Sequence, residues 1–304
     1  YNGKEQKVAS TVTGVDTAIL TLGTHFTVVS GASGTGAGDY TLTVSGIGNY
    51  TGTQTSAWSI AKAPLTVKAD DKLIVYQAPV PALTVTFTGF VNGETESVLG
   101  GTPTISTTYT KGSAVGDYPI TVSGYTSDNY EITHTSGVIT VDNAAFHVNV
   151  TGTYTYTGVA QTVSYTVTAV EPMVVGTDYT VTGESGTDAG SYTLTVTGIN
   201  GYAGTVKSIT WTIGKAPLTV TADDKSVTSG DDVPDLTVSY DGFVNGETED
   251  DLGGTLSVIT TYVKGSNVGT YPITASGYTS DNYEIAYVTG TLTVSPAAFT
   301  VSTT

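Results

Sequence analysis

Apolar and polar residues alternate with a period of two through much of this chain, and one nine-residue version of the alternation occurs four times. The pattern is Gly, any residue, Tyr, any, Leu or Ile, any, Val or Ala, any, Gly. It runs Gly38-Tyr40-Leu42-Val44-Gly46, Gly116-Tyr118-Ile120-Val122-Gly124, Gly190-Tyr192-Leu194-Val196-Gly198 and Gly269-Tyr271-Ile273-Ala275-Gly277. Tyr, Leu or Ile, and Val or Ala fall on one face, with Thr, Ser or Pro mostly on the other, as a strand covering a core on one side requires. The flanking glycines read as its ends. The four tyrosines stand 74 to 79 residues apart, a length that can bury a modest core of its own. The pattern therefore predicts four small all-β domains in tandem.

Two domain types alternate in A-B-A-B order. Residues 1–62 form a first type A unit, opening on Tyr1-Asn2-Gly3 and closing with the strand Ala57-Trp58-Ser59-Ile60. Residues 63–143 form a type B unit, with strands starting at Pro64 and Ala82 and an Asn-Gly turn at Asn92-Gly93. The pair returns as type A over 144–215 and type B over 216–296. Type B repeats at a constant offset of 153: Phe90 returns as Phe243 and Asp128-Asn129-Tyr130 as Asp281-Asn282-Tyr283. Type A is looser, Tyr1 matching Tyr156 at 155 and Trp58 matching Trp211 at 153.

Composition sharpens the strand reading. There are 37 Gly and 20 Tyr with one Met among 304 residues, and Thr and Val are abundant. β-Branched and aromatic side chains fit a pleated surface, so no helix is needed. The 27 acidic residues stand against 10 lysines and no arginine, a formal net charge of −17. Such a chain repels nucleic acid and anionic lipid, and lacks the basic stripe that phosphate contacts need. No apolar run of about 18 residues is present, so no membrane insertion is expected of this segment. With no cysteine there is no disulfide, thiolate metal site or cysteine nucleophile.

The type B units open with Lys-Ala-Pro-Leu-Thr-Val-x-Ala-Asp-Asp-Lys, carry a Gly-Phe-Val-Asn-Gly-Glu-Thr-Glu loop and close with Asp-Asn-Tyr-Glu-Ile. In these motifs they resemble the MBG domains of the YGX type, repeats of large bacterial surface and secreted proteins. Where that family carries Tyr-Gly after the opening strand, this chain has Tyr76-Gln77 in one copy and Ser229-Gly230 in the other, so the turn is expected to differ between copies. The type A units, with Gly-Thr-Asp-Tyr-Thr-Val at Gly176 to Val181 and Asn-Tyr-Thr-Gly at Asn49 to Gly52, look like bacterial immunoglobulin-like repeats. Together the resemblances imply four β-sandwich (Ig-like) domains forming an elongated rod, on an extracellular stalk or fibre, with no catalytic residues. Short Pro-containing junctions and strand lengths give such a rod a span on the order of 120 to 150 Å.

Candidate chemistry is sparse. Tyr40, Tyr118, Tyr192 and Tyr271 read as buried structural residues whose hydroxyls turn back to the preceding corner; a sugar-stacking ladder is the alternative. His25, His134 and His147 face Asp178, Tyr287 and Thr300 in the other copy, so no repeated site uses them. Gly34-Thr35-Gly36-Ala37-Gly38 lacks the Lys and helix of a phosphate loop. Asp70-Asp71, Asp223-Asp224, Asp231-Asp232 and Glu249-Asp250-Asp251 offer hard oxygen ligands, but at no recognised calcium-loop spacing. Solvated loop charge is the favoured reading, and a calcium ion at a domain junction the alternative; no other cofactor is implied. Lys111 and Lys264, the recurring candidates for an isopeptide staple, sit in Lys-Gly-Ser turns that face solvent.

The last strand raises a separate question. Ala145-Phe146-His147-Val148-Asn149-Val150-Thr151 opens the second A unit, and Ala298-Phe299-Thr300-Val301-Ser302-Thr303-Thr304 repeats it at an offset of 153. Residues 297–304 are therefore either the first strand of a following type A repeat or, through Phe299 and Val301, a donor strand for a neighbouring copy. The functional expectation is a structural stalk or fibre-forming repeat whose partners are copies or repeats of the same protein, end to end. The competing expectation is a multivalent module gripping host or matrix glycans through loops such as Asn92-Gly93-Glu94 and Ser127-Asp128-Asn129.

Overall fold

The computed structural model describes residues 1–302; Thr303 and Thr304, the end of the expected last strand, lie outside the described residues. The chain divides into two compact units, Tyr1–Ala144 and Ala145–Thr304. Each holds one type A and one type B domain, so the compact body is the A-B pair. Among the described residues there is no α-helix, only single 3₁₀ turns at Glu96–Val98, Asn200–Tyr202 and Glu249–Asp251.

Each B domain is a two-sheet sandwich. In the first copy, strands Lys72–Val75, Gly137–Asp142, Gly116–Thr126 and Gly100–Thr107 form one sheet in that order, and Tyr130–Thr135, Ala63–Ala69 and Val85–Thr88 form the other. Both sheets are mixed, because Tyr130–Thr135 runs parallel to Ala63–Ala69 and Gly137–Asp142 parallel to Lys72–Val75. The Ala63–Ala69 strand shows how alternation becomes a layer: Ala63, Leu65, Val67 and Ala69 are buried while Pro64 and Lys68 face out. Pro64 is tolerated because pairing with Val85–Thr88 starts only at Thr66, leaving one side of the strand free there. Val67, Ile120, Ile139 and Val141 then close the core between the sheets.

The A domains build their main sheet antiparallel, as Phe26–Ser30, Gly38–Gly46 and Thr53–Ile60 in the first copy. The second copy uses Tyr179–Thr182, Gly190–Gly198 and Val206–Gly214, with Tyr154–Thr155 added in parallel beside Ile213 and Gly214. It also carries a small facing sheet in which His147–Thr151 pairs with Ser164–Thr168.

The repeated Gly-x-Tyr strand is the central or near-central strand in every domain. Its first glycine has φ between +144° and +155° in all four copies, a region that only glycine enters without strain. The second glycine ends the strand in the A domains at Gly46 and Gly198. In the B domains the expected ending does not occur. There Gly124 and Gly277 sit inside strands that continue to Thr126 and Thr279, with the pairing shifted by a bulge beside each. A positive φ at these glycines lets the strand bend and pair onward.

The turn expected to differ between the B copies is the same in both. Gln77 adopts φ +68° and Gly230 φ +95°, and each turn is closed by an equivalent backbone bond, Ala78 N–H to Val75 O and Asp231 N–H to Thr228 O, both 3.0 Å. Sheet geometry fixes the turn, and the first copy carries a non-glycine in a left-handed conformation that costs roughly 1–2 kcal/mol. Replacing Gln77→Gly is expected to raise stability by about 1 kcal/mol after the added freedom of the unfolded chain is deducted. Gly230→Gln should lower it by a similar amount, both read as shifts in urea midpoint.

Candidate functional site

The densest set of polar side chains common to both copies lies where each A domain meets its B domain. In the first pair, the Glu94 carboxylate sits between two tyrosines, one from each domain. Tyr1 Oη donates to Glu94 Oε1 at 2.5 Å, and Tyr130 Oη donates to Oε2 at 2.5 Å. The backbone N–H of Val91 donates to Tyr130 Oη at 3.1 Å, fixing that hydroxyl from behind. The two rings meet edge-on at 5.5 Å, and Phe90 packs edge-on to Tyr130 at the same distance. Tyr1 thereby joins the B-domain cluster of Ala63, Leu65 and Tyr130.

Amide contacts surround this centre. Asn92 Nδ2 donates to Gly3 O at 3.0 Å, and Ala37 N–H donates to Asn129 Oδ1 at 2.8 Å. Lys62 Nζ reaches Ser127 O at 2.7 Å. Asn92 and Gly93 both have positive φ, so the Asn-Gly turn turns the chain tightly enough to present Asn92 and Glu94 together.

The second pair reproduces the arrangement contact by contact. Tyr156 and Tyr283 donate to the two oxygens of Glu247 at 2.5 Å each, and their rings are 5.5 Å apart. Asn245 Nδ2 reaches Gly158 O at 3.0 Å, Ala189 N–H reaches Asn282 Oδ1 at 2.8 Å, and Lys215 Nζ reaches Ser280 O at 2.6 Å. One contact is added, Asn282 Nδ2 to Asp188 Oδ1 at 3.1 Å.

The electrostatics follow from a carboxylate shared by two phenols. The hydrogen bond to Glu94, then burial, pushes the Tyr1 hydroxyl up to about 12. Tyr156 rises further for the same reasons beside Glu247. Tyr130 and Tyr283 are also raised, by burial first and the carboxylate second. The four phenols thus stay protonated donors well above neutral pH, each spending its proton on a carboxylate oxygen.

The other candidate residues fall away from this centre. Tyr40, Tyr118, Tyr192 and Tyr271 each donate their hydroxyl to the carbonyl four residues earlier, those of Gly36, Ala114, Asp188 and Asn267, at 2.7–2.8 Å. They are half-buried rather than buried. In the A domains the ring stacks on Trp58 or Trp211 at 4.7 and 4.9 Å, and in the B domains it meets Tyr109 or Tyr262 edge-on. That leaves one edge of each ring at the sandwich end, where the hydroxyl reaches the corner.

The acidic pairs have local work. Asp70 accepts from the Thr84 and Thr86 hydroxyls, and Asp71 from Lys68 and the Val138 N–H. Hydrogen bonds hold both carboxyls below the usual range, from Thr84 foremost for Asp70 and from Lys68 foremost for Asp71. In the second copy Asp223 accepts from the Thr237 hydroxyl, which holds its carboxyl below the usual range, and Asp224 accepts from the Thr291 N–H. Asp251 caps the Glu249–Asp251 turn. Among the described residues no group of three acidic or histidine side chains is placed to hold a metal ion. His25 Nδ1 accepts from the Thr21 N–H, His134 stacks on Tyr125 and Lys264 pairs with Asp232 at 3.2 Å.

Sequence reasoning treated Tyr1-Asn2-Gly3 as a turn and the Asn92–Glu94 and Asp128-Asn129 loops as either ligand grips or turns. Their meeting was missed. The available signal was that all three repeat in both copies while the intervening loops change length.

The family model for the MBG domain (YGX type) matches residues 65–140 and 218–293, half of the chain. No curated protein matches the sequence. Among solved structures, the S-layer protein rSbsC(31-844) is similar at 15% identity and TM-score 0.27, over 84% of this chain and 44% of that one. This chain thus spans less than half of that structure. Three N-terminal domains of the Hoc outer capsid protein of bacteriophage RB49 align at 14% identity and TM-score 0.26, covering 86% of this chain and 95% of theirs. The Escherichia coli adhesin FdeC aligns at 15% identity and TM-score 0.23, covering 77% and 96%.

The raised tyrosines predict an alkaline limit. A phenol whose folded pKa exceeds its ordinary value near 10 contributes stability that is complete below pH 10 and is lost as pH rises toward the folded value. The urea midpoint should be flat from pH 7 to 9 and fall between about pH 10 and 12. Tyr156→Phe should lower it at neutral pH but flatten the alkaline fall.

Proposed function

The chain belongs to the family of MBG domains of the YGX type, and from that premise we propose that it is a structural repeat segment of a bacterial extracellular surface protein, a stalk or fibre element that spaces and holds what it carries. The observation that carries this reading is the Tyr-Glu-Tyr clamp, built twice with the same partners at the same distances. A junction reproduced to this degree makes the A-B pair, rather than the single domain, the mechanical unit. Force applied along the chain is then met by hydrogen bonds to a charged group, worth about 1.5–3 kcal/mol each, instead of by a bare linker.

The loops that could grip a glycan are engaged in the same junction. Asn92, Glu94 and Asn129 bond to the neighbouring A domain, so their identity in both copies is accounted for by A-B docking. The net charge of −17 suits a protein held apart from its neighbours in an open medium. The partners are further repeats or copies of the same protein, joined through the segment that bears Phe299 and Val301, which follows the last strand, Gly290–Ser295.

The clamp is tested by Glu94→Ala combined with Glu247→Ala. Each change leaves two tyrosine hydroxyls without their acceptor and should cost about 2–3 kcal/mol per pair. Calorimetry or single-molecule pulling should show each A-B pair of the parent protein unfolding in one step. In the variant the A and B domains should come apart as separate events. Unaltered single-step unfolding would overturn the reading.

A further inference from the structure

We propose that the free edge of Gly253–Thr260 in the second B domain is a lateral interface, where the same strand of a second copy of this chain pairs antiparallel about a two-fold axis near Val258. The contact is separate from the end-to-end joining above and uses only residues inside the domain. Gly253–Thr260 is the outermost strand of a four-stranded sheet that also holds Lys225–Thr228, Gly290–Ser295 and Gly269–Thr279. It pairs with Gly269–Thr279, and among the described residues no strand lies on its other side. Such an edge presents a row of N–H and C=O groups ready to accept a second chain, unless the sequence blocks it.

The first B domain blocks it. The equivalent strand, Gly100–Thr107, is also a sheet edge with a bulge at the matching place, and it carries Pro103 in its middle. Proline has no N–H to offer, and its ring obstructs an incoming strand. At the offset of 153 the second copy has Leu256 instead. Further along, the outward positions change in the same sense. Ser106 is exposed and shares a hydrogen bond with the Thr121 hydroxyl on the next strand at 3.1 Å, whereas its counterpart Ile259 is 62% exposed opposite Thr274. Thr110 becomes Val263, 65% exposed. Thr102, Thr104 and Ser106 are exposed in a B domain that has an A domain before and after it in the chain, so a flanking domain does not decide whether this edge is open.

Charge names the occupant. Gly253 to Val263 holds no charged residue in a chain of 27 acids and 10 lysines, so two copies can meet here without setting like charges opposite each other. The two ends of this stretch are of opposite sign. Glu249, Asp250 and Asp251 precede it and Lys264 follows it, where the first copy has Glu96, Ser97 and Val98 before and Lys111 after. Antiparallel self-pairing therefore sets the acidic end of each strand beside the lysine of the other, twice in one dimer. Asp250 and Lys264 are both exposed, and Lys264, which holds Asp232 at 3.2 Å, has further N–H donors for a second carboxylate. With the axis at Val258, Ser257 lies opposite Ile259 of the other copy, both isoleucines leave water, and two four-stranded sheets become one of eight. The contact is the same patch on both copies and closes at two.

Sedimentation of the full chain should show self-association, and hydrogen exchange over Gly253–Thr260 should slow as concentration rises while exchange over Gly100–Thr107 does not. Leu256→Pro with Ile259→Ser gives this edge the residues of the first copy and should weaken the association by at least about tenfold. The first B domain folds with proline and serine at these positions, so the variant keeps its fold, which circular dichroism verifies. Lys264→Glu and Asp250→Lys should each associate poorly alone, and an equimolar mixture of the two should recover the dimer. A parent chain that is monomeric at its highest soluble concentration, association indifferent to Leu256→Pro with Ile259→Ser, or a mixture no better than its components would overturn the proposal. None of these results bears on the clamp, which is read from unfolding of the Glu94 and Glu247 variants.

Discussion

Two tyrosine hydroxyls converge on one carboxylate at each A-B junction, and the placement of everything around it follows from that constraint. A half-buried carboxylate is costly unless its oxygens are satisfied. Glu94 and Glu247 meet the demand with one phenol from their own domain and one from the domain before. The pairing can be satisfied only when both domains are folded and docked, so the chemistry of one side chain couples two sandwiches. Within each pair this converts a short linker into a joint with a defined geometry.

The joint also explains the economy of the two domain types. A small sandwich has little core to spare, and the B domain places part of its apolar surface, Leu65 and Tyr130, under an aromatic ring from the A domain. The A domain in turn sends the N–H groups of Ala37 and Ala189 to asparagines of the B domain. Elsewhere the acidic residues that give the chain its charge serve as short ties: Asp70, Asp71, Asp223 and Asp224 each accept from a threonine, a lysine or a backbone N–H on a neighbouring strand. Negative charge is thus used locally as an acceptor, and its sum still keeps the surface hydrophilic and self-repelling.

The A domains share their floor as well. The same Leu-x-Val strand is buried in both copies, Leu42 and Val44 in the first and Leu194 and Val196 in the second, beside a tyrosine stacked on a tryptophan in each.

Strand alternation, the four-fold Gly-x-Tyr pattern, the A-B-A-B order and the resemblance of the B domains to MBG repeats were legible in the sequence, because period-two burial and glycine at special φ are local demands written at each position. The hydroxyl-to-corner bond of Tyr40 and its counterparts was also expected, since it spans only four residues. What the tertiary structure decided is non-local. It set the parallel pairing of Ala63–Ala69 with Tyr130–Thr135, the bulge that carries the B strands past Gly124 and Gly277, and the common turn at Gln77 and Gly230. The meeting of Tyr1 with Glu94 and Tyr130 belongs to the same class. Residues so far apart in the chain advertise no partner in their own neighbourhoods, and only the packing of two sheets and the docking of two domains brings a carboxylate and its two phenols within 2.5 Å.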